Sequence, residues 1–163
     1  MPSGRAHHYQ IHTTWTGNLG TGTSTYRSYS RNHELTGPQK SAAIAGSSDP
    51  VFRGEAARYN PEELLLAALS ACHMLALLHL CADAGITVTE YADDATGEMA
   101  ENADGSGQFT RAVLHPRMAI TEASRIDEAM TLHHRAHELC FIARSVNFPV
   151  ENEPRVTAAG GAS

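Results

Sequence analysis

Apolar residues dominate one long stretch of the chain, NPEELLLAALSACHMLALLHLCADAGI. Asn60 is a favourable N-cap, Pro61 suits the first helical position, and Gly85 is a common helix terminator. This pattern predicts a helix over residues 61–84. Because apolar residues surround nearly its whole circumference, we expect it to be buried on all sides, which requires something to cover its second face.

Runs rich in Thr, Tyr and Val predict strands on both sides of this helix. HHYQIHTTW and TSTYRSYSR, joined by the turn signal TGNLGTG, predict one hairpin, and the two runs that flank NADGSG predict a second. The spacing of Ser124 and Asp127 resembles a capping box before a second helix. A last strand and a frayed tail, TAAGGAS, follow. This order predicts an α+β fold with helices against antiparallel sheets.

The size and composition of the chain favour one compact domain over residues 1–163, with its core over about 8–157. The chain has 163 residues, of which 42% are apolar and 18% charged, so it can bury a sizeable core. The formal net charge is −6 and no basic patch occurs, which argues against nucleic-acid binding. The opening residues carry no secretion signal, so we expect a cytoplasmic location. Polar residues interrupt the long apolar run, so we expect a core helix and no membrane span.

The chain has three cysteines, Cys72, Cys81 and Cys140. This number is small and odd, which argues against a secreted disulfide framework. Cys72 and Cys81 project to opposite faces of the predicted helix, about 13 Å apart along its axis, and cannot bridge each other. Any intramolecular disulfide that forms while the helix persists must therefore involve Cys140. Cys81 is interpreted as a packing residue. Cys72 and Cys140 could serve either packing or chemistry.

A reactive thiol needs a nearby cation, because a free cysteine is mostly protonated at neutral pH. Arg27, Arg31, Arg53 and Arg58 are the candidates near the predicted helix. Glu62 could orient such an arginine through a bidentate pair, although it could equally be a helix-start charge. In a straight helix Glu62 lies about 15 Å from Cys72. A site containing both therefore requires a bridging arginine, a broken helix or a second subunit.

A second candidate is a metal-binding site. His133, His137 and Cys140 follow one another at helical spacing and would share a face, and His73 or Cys72 could complete a zinc tetrahedron. The pattern is loose, since neither a C-x2-C nor an H-E-x2-H motif accompanies it.

The segments NPEELLLAALSACH and AHELCFIARSVNFPV resemble the two cysteine motifs of the OsmC/Ohr family, the osmotically induced protein C and organic hydroperoxide resistance proteins. The resemblance covers about residues 8–157, including the order of hairpin, cysteine helix, hairpin and cysteine helix. It implies an intertwined homodimer of α+β subunits, in which antiparallel sheets surround two central cysteine-bearing helices.

The resemblance also implies a thiol peroxidase that acts on organic hydroperoxides without metal, haem or flavin. Cys72 would attack the peroxide and become a sulfenic acid, and Cys140 would condense with it to form a disulfide. A reducing dithiol, which in the family can be a lipoylated protein, would restore both thiols.

The family's site residues carry over unevenly. Cys72, Cys140 and Glu62 match the motif positions. The Gly-Gly-Arg loop of the hydroperoxide resistance branch has no counterpart, so Arg53 ranks first and Arg27 second as the activating cation. Phe141 stands where many members have proline, and these departures indicate a less characterised branch. A non-catalytic module for a small hydrophobic ligand and the zinc protein are the alternatives.

Overall fold

The computed structural model describes residues 4–160. Contacts within the chain divide it into two compact units, Met1–Leu64 and Leu65–Ser163. The interpretation of the chain as one domain remains a prediction. The last residues of the predicted tail, 161–163, lie outside the described range, whereas strand pairing continues to Ala158, further than we expected.

The first unit contains a three-stranded antiparallel sheet made of β1 (His12–Trp15), β2 (His33–Thr36) and β3 (Ile44–Gly46), in that order. A 3-10 turn, Pro50–Phe52, follows, in which the Asp49 carboxylate accepts a hydrogen bond from the Val51 N–H at 2.8 Å.

The predicted first hairpin is wrong, because residues 23–31 form turns and β1 pairs with β2. Side chains hold this loop in place. Asn18 accepts hydrogen bonds from the N–H groups of Gly20 and Gly22, and both glycines have positive φ. Arg31 donates to the carbonyl groups of Tyr26 and Tyr29 and stacks over both rings. These local bonds satisfy the backbone in place of a strand ladder.

Helix α1 spans Pro61–Asp83, as predicted to within one residue. The Asn60 side chain accepts a hydrogen bond from the Glu63 N–H at 2.7 Å, and the Glu63 carboxylate accepts one from the Asn60 N–H at 3.0 Å. This is a reciprocal capping box. At the other end Gly85 has φ +69°, and the Ile86 N–H donates to the Cys81 carbonyl, which stops the helix as expected.

The second unit contains two mixed three-stranded sheets. They use β4 (Val88–Asp93), β5 (Thr96–Glu101), β6 (Gly107–Leu114), β7 (Pro116–Ile120), β8 (Val150–Asn152) and β9 (Arg155–Ala158). The strand orders are β4-β7-β9 and β5-β6-β8. The predicted second hairpin is present, since β5 pairs with β6 and β4 with β7.

Asp93 lies where the long hairpin divides between the two sheets. Its carboxylate accepts hydrogen bonds from the His115 N–H at 2.7 Å and from the Ser70 hydroxyl of α1 at 2.6 Å. The last two strands pair in parallel with their neighbours, contrary to the purely antiparallel prediction. The helix between β7 and β8 makes this possible, because parallel pairing needs a long crossover.

Helix α2 spans Ile126–Leu139 and follows a short 3-10 turn. Ser124 does not cap it, so the predicted capping box is wrong. The guanidinium of Arg125 instead bonds to the carbonyl groups of Ala84 and Gly85 and to the Glu128 carboxylate. These bonds tie the beginning of α2 to the end of α1.

One stripe of α1 supplies the core of the second unit. Leu69, His73, Leu77 and Cys81, spaced four residues apart, are its buried residues. Leu77 and Cys81 pack in one cluster with residues of β7 and α2, whereas Leu69 packs in another with Ala112 and Leu114. Cys81 therefore occupies the packing position that the sequence indicated.

The rest of α1 differs from the prediction that it is buried on every side. Leu75, for example, is 63% exposed. By length and composition α1 is also a candidate membrane span, a criterion that core helices of soluble proteins also meet. The buried stripe shows that one face of the helix packs within the protein.

Candidate functional site

The site is built around two free thiols. Cys72 lies in the middle of α1 and is half-buried, whereas Cys140 lies directly after α2 and is buried. The two side chains are neighbours, since Cys72 is among the groups that shift the pKa of the Cys140 thiol. The structure therefore brings together the two cysteines that the sequence singled out.

The backbone around Cys140 turns sharply and fixes its sulfur. Cys140 leaves the helix with extended backbone angles, φ −69° and ψ 107°. The Ala143 N–H donates to the Cys140 sulfur at 3.4 Å, and the Arg144 N–H donates to the Cys140 carbonyl at 3.1 Å. The chain after α2 thus wraps around the Cys140 side chain.

Burial, followed by the neighbouring Cys72 thiol, raises the pKa of the Cys140 thiol to about 11. Cys140 consequently remains protonated at neutral pH. Of the two sulfurs, Cys72 is the more accessible to a reactant.

An open apolar groove of about 640 Å³ runs beside Cys72. Phe141 is 73% exposed there, although it directly follows the buried Cys140. Small side chains of α1 leave room on the other side. The apolar lining includes Ala68, Ala71, Leu75 and Ala76 from α1, together with Leu139 and Phe141.

A buried histidine pair connects the two helices that carry the cysteines. His73 Nε2 and His133 Nδ1 are 3.1 Å apart, and each residue is 1% exposed. Burial is the main cause that lowers the pKa of each ring to about 4, with repulsion from His137 acting on His73 and repulsion from His73 acting on His133. Both rings are therefore neutral at pH 7.

The sequence predicted His133 as a zinc ligand, whereas its partner in the structure is His73. Its Nδ1 atom bonds to His73, His137 Nδ1 lies 3.1 Å from the Asn152 amide, and the Cys140 sulfur accepts from the Ala143 N–H. Within residues 4–160, no three His, Cys, Asp or Glu side chains are arranged to hold a metal ion. The predicted zinc ligands thus do not form a ligand set. The four-residue spacing of His73 with Leu69 and Leu77 was the available signal for a buried histidine.

The predicted cation and carboxylate lie in the first unit. Arg53 follows the 3-10 turn with φ +67°, and Arg27 is exposed in the loop between β1 and β2. Arg31, the other candidate in that loop, is engaged with Tyr26 and Tyr29. Glu62 lies in the first turn of α1. Among the residues described, Glu62 forms no ion pair with an arginine, so its predicted pairing remains a prediction.

The fold and the paired thiols define an α+β protein with a two-cysteine site. The sequence model of the family described as OsmC-like protein matches residues 54–154. The chain therefore belongs to the OsmC-like family, which confirms the resemblance found in the sequence.

Solved structures agree with this assignment. An OsmC-like protein of unknown function from Vibrio cholerae is 31% identical, with a TM-score of 0.82, over 92% of this chain and 100% of that chain. An organic hydroperoxide resistance protein from Elizabethkingia anophelis is 22% identical, with a TM-score of 0.66, over 94% and 99% of the two chains. An organic hydroperoxide resistance protein OsmC, described as a predicted redox protein, from Legionella pneumophila is 18% identical, with a TM-score of 0.67, over 94% and 99% of the two chains. The last two show the shared fold. Comparison with curated proteins gives no match.

Proposed function

We propose that this protein is a thiol peroxidase that reduces organic hydroperoxides to alcohols. The observation that carries the proposal is the proximity of the more accessible Cys72 to the buried Cys140 beside an apolar groove. The family and the hydroperoxide resistance proteins that share its fold support the same role.

The reaction begins at Cys72. Its thiolate attacks the terminal peroxide oxygen, the O–O bond breaks, and the alkoxide leaves as an alcohol after taking up a proton. Cys72 becomes a sulfenic acid. The apolar groove favours an alkyl or aryl substituent over the small, polar hydrogen peroxide.

Cys140 completes the oxidative half of the cycle. Its sulfur attacks the Cys72 sulfenic acid, an S–S bond forms, and hydroxide leaves as water with the Cys140 proton. A dithiol then restores both cysteines by exchange and is itself oxidised to a disulfide. A lipoylated protein would supply such a dithiol. No metal or organic cofactor takes part in this cycle.

The cation that favours the Cys72 thiolate is proposed to be Arg53, with Arg27 as the second choice, and Glu62 is proposed to orient it. These assignments rest on the motif positions in the sequence. Arg53→Ala and Arg27→Ala, compared by the rate of Cys72 alkylation at pH 7, distinguish the two. The activating arginine is the one whose removal slows alkylation.

A second copy of the chain is proposed to cover the exposed apolar face of α1. Leu75 and Phe141 are exposed on this side, and a soluble protein rarely leaves such a face uncovered. Sedimentation should therefore show a dimer. Leu75→Glu should shift it towards monomer, whereas Met99→Glu, a change at a 44% exposed position of β5, should not. A parent protein that sediments as a monomer at micromolar concentration contradicts this proposal.

Peroxide consumption tests the activity. Cys72→Ser should abolish consumption of cumene hydroperoxide in the presence of a dithiol, whereas Cys81→Ser should retain it because Cys81 lies in the core. Equal consumption by Cys72→Ser and the parent contradicts the proposed mechanism.

The apolar groove also favours one other function, the binding of a small hydrophobic ligand without catalysis. That function predicts a ligand retained through purification and no peroxide-dependent loss of thiols. A cytoplasmic location, which the sequence led us to expect, would keep the thiols reduced as the proposed peroxidase requires.

A further inference from the structure

The contact between His73 and His133 is the only hydrogen bond of either side chain within residues 4–160. The other ring nitrogens, His73 Nδ1 and His133 Nε2, are buried without partners there. Loss of the contact would leave further buried polar atoms unsatisfied, which is costly in a dry interior. The two rings thus hold each other in one arrangement.

This contact joins the two helices that carry the cysteines, at positions close in sequence to Cys72 and Cys140. His73 directly follows Cys72 in α1. His133 lies in α2, about two turns or 10 Å along the axis before Cys140, the residue that directly follows the helix. Side chains spaced by seven residues share a helix face. A shift of α2 relative to α1 at the histidine pair would therefore move Cys140 relative to Cys72.

The last turn of α2 has a separate anchor. The Asn152 amide of β8 lies 3.1 Å from His137 Nδ1, which fixes that turn to the sheet β5-β6-β8 but makes no bond to α1. Arg125 fixes the opposite end of α2 to the end of α1. Between these anchors, the histidine contact is the side-chain hydrogen bond that joins α1 to α2 within residues 4–160.

We propose that His73 and His133 are positioning residues, whose hydrogen bond holds Cys72 and Cys140 at the separation required for disulfide formation. This inference rests on the proposed disulfide cycle. It assigns a role to two residues that take no part in the proposed chemical steps.

The geometry of the contact provides matched variants. The side-chain amide of an asparagine occupies about the position of a histidine Nδ1 atom, and the amide of the longer glutamine occupies about the position of Nε2. His133 takes part through Nδ1, so asparagine is its closer replacement. His73 takes part through Nε2, so glutamine is its closer replacement. His133→Asn and His73→Gln should preserve the contact, whereas His133→Gln and His73→Asn should lose it.

The test is the equilibrium of each variant with glutathione. Oxidised glutathione converts the two protein thiols to a disulfide and is reduced to two glutathione molecules, so the product ratio reports the protein's thiol–disulfide equilibrium. His133→Gln and His73→Asn should each lower the disulfide equilibrium constant about tenfold, an effect the size of one lost buried hydrogen bond. For a two-electron couple this corresponds to about 30 mV. His133→Asn and His73→Gln should remain within about threefold of the parent.

Val113→Ala is the control for lost stability, since Val113 is buried in β6 but belongs to neither core cluster that contacts the cysteine helices. It should destabilise the fold while leaving the disulfide equilibrium unchanged. Equal constants for the paired amide variants, or a shift in Val113→Ala as large as in His133→Gln, overturn the positioning role. If the parent itself forms no Cys72–Cys140 disulfide, the proposed cycle fails instead. If one substitution prevents folding, the Asn and Gln variants at the other histidine still provide the comparison.

Discussion

The Cys140 thiol lies beside Cys72, although the two residues are carried by different helices and differ in exposure. Cys140 is enclosed by the backbone that follows α2, whereas Cys72 borders the apolar groove. This asymmetry supports the proposal that Cys72 attacks the peroxide and that Cys140 closes the disulfide.

Replacement of Cys140 should separate the two steps. Cys140→Ser leaves the Cys72 sulfenic acid without a resolving thiol, so one equivalent of cumene hydroperoxide should produce a dimedone adduct at Cys72. Mass spectrometry of the labelled peptide measures it. The parent and Cys81→Ser should give little adduct because their disulfide closes, and equal labelling of parent and Cys140→Ser would argue against Cys140 as the resolving residue.

The histidine pair should make the fold sensitive to acid. His73 and His133 have pKa values near 4 in the folded protein against 6.5 in the unfolded chain. The unfolded state therefore binds more protons between these values, and stability should fall as the pH drops from 6.5 to 4. The loss should be on the order of 3 kcal/mol for one ring.

Urea unfolding at a series of pH values measures this dependence. The groups that act on the pair include His137 and His134, which lower the pKa values further, and Asp93, which raises that of His73. His133→Asn should flatten the dependence, whereas substitution of His79, which is 72% exposed, should leave it unchanged. An unaltered slope in His133→Asn would assign the acid sensitivity to other groups.

Phe141 should favour bulky substrates. Its exposed ring borders the groove beside Cys72, so Phe141→Ala should lower kcat/KM for cumene hydroperoxide about fivefold through lost aromatic contact. The value for hydrogen peroxide, which has no apolar substituent, should not change. Met99→Ala serves as the control for removal of an exposed apolar side chain, and an equal loss with both peroxides would show that Phe141 affects the thiol instead.

Asp93 should contribute more to stability than its neighbour Asp94. Asp93→Ala leaves the Ser70 hydroxyl and the His115 N–H without their acceptor, which should cost about 2 kcal/mol. Asp94 pairs with Arg117 at the exposed surface, and Asp94→Ala should change stability by less than about 0.5 kcal/mol. Urea unfolding at pH 7 compares the two. Similar losses would contradict the structural role of Asp93.

The sequence predicted the features that local chemistry controls. Asn60 and Gly85 delimit α1 because capping and positive φ are local requirements, and the motif positions of Cys72 and Cys140 indicated where the thiols meet. The Thr and Tyr residues of segment 23–31 favour a strand, whereas the bonds of Asn18 and Arg31 decide its conformation. Those bonds depend on the folded loop.

The histidine pair illustrates the limit of spacing arguments. His133 and His137 share a helix face and resemble metal ligands, but their partners come from α1 and β8. The parallel pairing of β8 with β6 and of β9 with β7 likewise depends on the crossover through α2. Such long-range partners follow from the packed fold, not from the periodicity of one segment.

Free-thiol titration before and after one equivalent of cumene hydroperoxide tests the central claim most directly. The chain has three cysteines, all reduced, and the unfolded parent should report three thiols before treatment and one, Cys81, afterwards. Three thiols after treatment would show that Cys72 and Cys140 do not form the proposed disulfide.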